Sequence, residues 1–267
     1  MPRSMPDREV LAEKIRALRP WHHDIELFDD FSTGKVFSPD GKLAGKDNDG
    51  VSLISPRSRY FGRMRQLFPE GLSGKHFLDC ACNAGAYCFW ARELDAERVV
   101  GFDVREHWIE QAKFVQQHRT FQPVDRIEFF VRDLYDLPGL GLDPFDVTYF
   151  SGIFYHLPDP ITGLKIAADL TREIMIFNTA MMPPGDYQNG MTIAHESRTK
   201  VMSGVHELSW FPNNKETLRD ILLWMGFKEQ KISMLNENKT DAPRSRIEII
   251  AARERGRLEN FDGEVLV

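Results

Sequence analysis

The stretch that most constrains this chain is residues 76–87, HFLDCACNAGAY. A short apolar run ends in Asp79. Small residues follow (Ala81, Asn83, Ala84, Gly85), and then the apolar positions of a helix, Tyr87, Phe89, Trp90 and Leu94. A buried strand feeding a small-residue turn and a helix opens a nucleotide-binding α/β unit. Small side chains let the backbone approach a ligand and let the helix pack tightly on the sheet. The helix start adds free N–H groups at the positive end of its dipole. A strict G-x-G-x-x-G is absent: Ala81 and Asn83 stand where glycines are expected, and only Gly85 remains. Asn tolerates left-handed backbone angles and Ala has the next smallest side chain, so the loop can still turn. Taken alone, the stretch fits either a cofactor loop or an ordinary strand–helix turn.

A second apolar run, RVVGFDV over 98–104, ends in Asp103, 24 residues after Asp79 and about one βαβ step away. An acid at that strand tip is placed to accept hydrogen bonds from ribose hydroxyls. It is also a residue type that caps a following helix, though the loop and the acid at this spacing favour the ribose role. The pattern then predicts strands over 75–80, 98–102, 126–131, 145–150 and 172–178, with helices over 84–94, 106–119 and 160–170 between them. Ligands in open parallel sheets bind beyond the carboxyl ends of the strands. Four successive strand ends here carry Asp79, Asp103, Asp133 and the pair Tyr155/His156.

Upstream, residues 7–18 read as an amphipathic helix ended by Pro20. Trp21, His22 and His23 are a cluster suited to stacking on or hydrogen-bonding a ligand, or to packing as a flap. The segment 41–50 is turn-rich and reads as a mobile loop. Residues 56–68 read as a helix bearing Arg57, Arg59, Arg63 and Arg65, a solvated face or an anion-binding one. The excursion over 180–209 holds Met181, Met182, Tyr187, Met191, His195, Glu196, His206 and Glu207, and Trp210 follows. It reads as a substrate lid or as a subunit contact.

Net charge is −6, from 34 basic and 40 acidic residues, which disfavours bulk affinity for nucleic acid. No apolar run approaches the roughly 20 residues of a membrane span, and the first residues lack the apolar core of a signal peptide. A cytoplasmic protein is expected. Cys80, Cys82 and Cys88 are an odd set without C-x-x-C spacing, read as small buried side chains rather than a disulfide or metal site. No H-E-x-x-H is present, and no metal is expected.

FLDCACNAGAY, VVGFDV, RDLYDL and FDVTYFSGIFYHLPDP, in this order, resemble the class I S-adenosylmethionine-dependent methyltransferases. The segments GIFYHLPDP and SWFPNNKETLRDILLWMGF are most similar to the branch holding the tRNA wobble-uridine carboxymethoxy-forming enzyme and its small-molecule relatives. The resemblance implies an α/β, Rossmann-like seven-stranded sheet with helices on both faces. Residues 1–70 form an N-terminal helical flap, 71–253 the methyltransferase domain with the lid insertion, and 254–267 a tail. A helix over 215–225 and strands over 227–235 and 246–252 complete the late antiparallel hairpin. S-adenosyl-L-methionine is the implied cofactor. Asp79 and the loop from Ala81 through Asn83 to Gly85 fall near its methionine part, Asp103 on its ribose and Val104 beside its adenine. Asp133 and Leu134 fall at the adenine edge, and Ser151 to His156 line the floor near the transferring methyl.

Methyl transfer from a sulfonium asks the protein to align the acceptor and exclude water. An oxygen or nitrogen acceptor can also need a base. His156 is the candidate, histidine being the residue type suited to proton transfer near neutral pH, unless it only bonds backbone. Tyr155 positions the methionine end or the substrate. Trp21, His22, His23, Tyr155, His195 and Trp210 are the candidate acceptor contacts. The main reading is methyl transfer to an O, N or S atom of a small molecule by a possible homodimer. The alternatives are a tRNA wobble-uridine (carboxy)methyltransferase, with Tyr155 and Arg246 falling where that branch binds an extra carboxylate, and a non-catalytic cofactor-binding scaffold. A nicotinamide enzyme would show a fuller glycine fingerprint.

Overall fold

The computed structural model describes residues 7–38, 48–120, 124–196, 202, 205–236 and 244–266. The chain opens with helix α1 (Arg8–Ala17), whose first turn is capped by the Asp7 carboxylate accepting from Glu9 N. A small ribbon, β1 (Glu26–Phe28) and β2 (Phe31–Ser32), leads into the short helix α2 (Thr33–Phe37) and then α3 (Arg57–Leu67). Most of the expected loop over 41–50 lies outside the described residues. At its end Asn48 is buried and holds the Trp21 backbone N–H and carbonyl.

The alternating unit follows: β3 (His76–Cys80), α4 (Ala86–Glu93), β4 (Arg98–Asp103), α5 (Glu106–His118), β5 (Ile127–Val131), β6 (Phe145–Ser151), α6 (Pro160–Asp169) and β7 (Thr171–Met181). A hairpin of β8 (Met191–His195) and β9 (Leu208–Pro212) comes next. It is followed by α7 (Lys215–Trp224), β10 (Glu229–Asn236), β11 (Ser245–Ala252) and β12 (Glu264–Val265). Among the described residues, eight strands form one sheet in the order β12-β10-β11-β7-β6-β3-β4-β5. Strands β3 to β7 are mutually parallel, and β11, β10 and β12 add antiparallel pairs. The expected seven strands are thus present, and two residues of the tail add a short eighth.

Side chains alternate across a strand, and here both sets are apolar, so the sheet is buried on two sides. Phe77, Val99, Val147, Ile174 and Ile250 face one core with α3, α4, α5 and the N-terminal Leu11, Ile15, Trp21 and Leu27. Leu78, Val100, Phe150, Met175 and Ile249 face the other, under α6 and α7. β7 outruns its expected end at 178 because β11 pairs with it as far as Met181. The stretch read as a lid therefore begins as sheet. Its middle is the β8–β9 hairpin, tied back where Met182 N donates to Pro212 O.

Candidate active site

The loop after β3 explains how a glycine-poor turn works. Ala81, Asn83 and Gly85 all have positive φ, 56°, 53° and 78°. The glycine-like conformation is thus kept at two positions where the residue is not glycine. Asn83 satisfies itself locally, its side-chain oxygen accepting from Ala84 N at 2.8 Å. Gly85 has no substitute: a Cβ there would sit 2.6 Å from the Phe129 ring. One turn on, Gly101 of β4 lies bare under Cys88 and Cys82, where a Cβ would meet the two sulfurs at 2.7 and 3.0 Å. The cysteines are therefore packing groups. Burial pushes the Cys82 thiol up to about 11, and the Cys80 and Cys88 thiols well above their usual value.

Asp103 closes the loop. Its Oδ2 accepts from Asn83 N at 3.1 Å and its Oδ1 from Arg105 N at 3.0 Å. A carboxylate has about four lone-pair sites, so each oxygen keeps capacity for a hydroxyl. Burial raises the Asp103 carboxyl, opposed by those N–H bonds. Burial raises Asp79 further, well above the usual carboxyl range, with a Cys88 thiol contact opposing and Asp103 adding to it. Asp133 caps the turn after β5 by accepting from Tyr135 N, and its other oxygen lies 3.9 Å from His206 Nε2.

These strand ends open on a cavity of about 690 Å³. It brings together Asp79, Ala81, Asn83, Asp103, Val104, Asp133, Leu134, Ser151, Tyr155, His156, His22 and His23. Gly85 lies behind the loop against Phe129. With Gly85, three more candidates named from sequence do not line it. Trp21 is buried in the core, its indole N–H donating to Ile15 O. His195 is exposed at the end of β8, and Trp210 sits opposite Ile193 within the hairpin.

The wall includes groups that carried no local signal. Tyr60, Tyr87 and Tyr149 pack as a cluster, with Tyr87 and Tyr149 stacked at 4.1 Å. Burial pushes the Tyr87 phenol to about 12 and those of Tyr60 and Tyr149 well above their usual value. Arg63 of α3 and Glu248 of β11 form a buried ion pair at 2.8 Å. Burial lowers His22 and holds His23 well below the usual histidine value, so both imidazoles are neutral near pH 7. Bonds to the Ser52 backbone and the Asn83 side chain oppose that lowering at His22 and His23 respectively, and both histidines line the cavity together with Tyr60.

At the far end, Arg246 donates to the Tyr155 hydroxyl at 2.8 Å and to Asn178 at 3.2 Å. His156 Nδ1 lies 2.6 Å from Glu196 Oε1.

The residues suit S-adenosylmethionine. A part-satisfied carboxylate stands at the second strand tip, and Val104 and Leu134 provide apolar surface beside it. The sequence matches the family described as "Methyltransferase domain" over residues 72–219. The tRNA U34 carboxymethyltransferase of Cellvibrio japonicus is 26% identical over 182 residues, covering 65% of this chain and 52% of that protein. The enzyme of the same name from Nautilia profundicola is 34% identical over 132 residues, 49% and 42% of the two chains. The chain spans about half the length of the curated relatives it matches. Among solved structures, the N-terminal domain of EvdMO1, crystallised with S-adenosylhomocysteine (SAH) and D-fucose, has a TM-score of 0.70 at 18% identity, over 94% of this chain and 98% of that one. Magnesium protoporphyrin IX methyltransferase of Synechocystis PCC 6803 with S-adenosylmethionine (SAM) bound has a TM-score of 0.51 at 14% identity, over 95% and 100%. The strand-tip acids, the left-handed loop and the family match together make this chain a member of the class I S-adenosylmethionine-dependent methyltransferases.

Proposed function

We propose that this enzyme moves a methyl group from SAM to an O, N or S atom of a small-molecule acceptor. The observation that carries this reading is the second half of the cavity. Beyond the cofactor loop, uncharged His22, His23 and Tyr60 converge with Tyr155, His156 and Arg246 on a space of small-molecule size. When bound, the sulfonium supplies an electrophilic methyl. The protein's part is alignment, exclusion of water and, for a weakly acidic acceptor, removal of a proton. The neighbour crystallised in the presence of SAH and D-fucose supports a sugar-like acceptor as the first probe.

One observation favours a second reading. The Arg246–Tyr155 bond places a guanidinium over the end of the cavity, and the curated relatives carry the name tRNA U34 carboxymethyltransferase. A donor whose transferable group carries an extra carboxylate, delivered to tRNA, would use that cation. Calorimetry with SAM, SAH release with D-fucose and a salt-dependent gel shift with tRNA separate the two. Release on D-fucose without a shift supports the first reading. A shift whose affinity falls steeply with salt, without release on D-fucose, supports the second.

A further inference from the structure

The arginines of α3 meet different ends. Arg57 pairs with Glu26 and Glu93, and buried Arg63 pairs with Glu248. Arg59 lines the cavity, yet it has no carboxylate partner among the described residues. Its Nη1 meets the Met234 sulfur at 3.3 Å, and a thioether is a weak acceptor. Strand register explains the contrast. Met234 of β10 lies opposite Glu248 of β11, and Arg59 and Arg63 are one turn apart on α3, on one face. Both arginines therefore reach the same cross-strand pair. Arg63 takes the carboxylate and Arg59 is left with the sulfur.

The surroundings leave that charge unmet. Glu248 is already engaged by Arg63 and Ser233, and Glu196 lies against His156. Arg246, two residues before Glu248 and on the same face of β11, adds a second guanidinium, with N–H groups on Tyr155 and Asn178. Arg59 is also the third residue of α3, whose first turn holds no acid. A cation there opposes the helix dipole, and an arriving anion relieves both strains. We propose that the acceptor is an acidic small molecule and that Arg59 binds its carboxylate or phosphate at the cavity mouth. This rests on the methyl-transfer reading and narrows its substrate class. A neutral acceptor leaves Arg59 on the thioether. An acidic one gives it charge-assisted bonds, roughly twice as strong as neutral ones.

The test uses the full chain, wild type and R59Q and R59K, each first titrated with SAH by calorimetry. Failure of the wild type to bind SAH counts against methyl transfer itself, and the sugar titrations below still decide the anion site. The probes are D-galacturonate, D-galactose 6-phosphate and D-fucose, which share one ring configuration and differ at C6. Binding is read without turnover from the Met234 methyl signal of protein labelled with carbon-13 at the methionine methyls, assigned by M234L. Either acidic sugar should shift that signal and bind about 10-fold more tightly than D-fucose. The preference should shrink as salt rises. R59Q should abolish it and R59K should keep part. The tighter acid tells carboxylate from phosphate. No Met234 shift with either acid, equal binding of the three sugars, or a preference that survives R59Q overturns the proposal.

Discussion

Ala81 holds a conformation that L-residues avoid, at φ 56°. The left-handed region costs a non-glycine residue roughly 1–2 kcal/mol. Part of any gain from glycine is returned as unfolded-chain entropy, about 0.4–1 kcal/mol. A81G should therefore stabilise the protein by about 0.5–1 kcal/mol in urea unfolding, and a lower midpoint contradicts the strain. G85A should do the reverse, because it adds both a Cβ against Phe129 and a disfavoured φ. Its loss should be about 2–4 kcal/mol. Asp103 makes the ligand-facing prediction. D103A removes a charged acceptor, so SAM affinity should fall about 10–100-fold by calorimetry. Equal affinity would remove Asp103 from the ribose contact. The sequence shows that Ala81 and Asn83 are not glycine, but not that their backbone stays glycine-like. That depends on Asp103 accepting from Asn83 N across the strand tips.

At the scale of elements, α3 and β11 are joined by Arg63 and Glu248, 6% and 4% exposed. Tyr149 and Ser233 add hydrogen bonds to the pair. Removing one partner of such a pair strands a buried charge, at about 3–5 kcal/mol. R63M and E248L should each destabilise by that amount. The double variant should lie closer to wild type than their sum, and strict additivity in the cycle would contradict the coupling. Nothing in the sequence joins these two residues. Arg63 read as one of four arginines on a helix, and Glu248 as a charge within a strand. The β8–β9 hairpin was equally hidden, because β8 is half exposed and has no apolar stripe. By contrast β3, β4 and β6 are buried apolar runs ended by polar tips, and their pattern was open to reading.

For the molecule as a whole, the parallel order of strands gathers acids 24 residues apart into one cavity, and that much follows from the βαβ pattern. Which aromatic residues turn toward the cavity does not. Trp21 and His22 are neighbours, yet Trp21 bonds into the core while His22 faces the ligand space. The gathered acids also set a pH dependence. Asp79 has a raised carboxyl value when folded. Its contribution to stability is thus full below the unfolded carboxyl value, about 3.9. It is lost as pH rises through the raised folded value. D79N lacks this term. Wild type should lose ground to D79N as pH climbs from about 4, read as the difference between their urea midpoints, and a constant difference would contradict it.

The tail bears on how the molecule behaves in company. Glu264 and Val265 lie along β10, Leu266 N donates to Gln230 O, and Leu258 and Phe261 are sunk in the core. An open strand border is a template for a stranger's backbone. By stitching two residues onto that margin, the tail acts as a selvedge: without it the enzyme would be prone to knit edge to edge into aggregates.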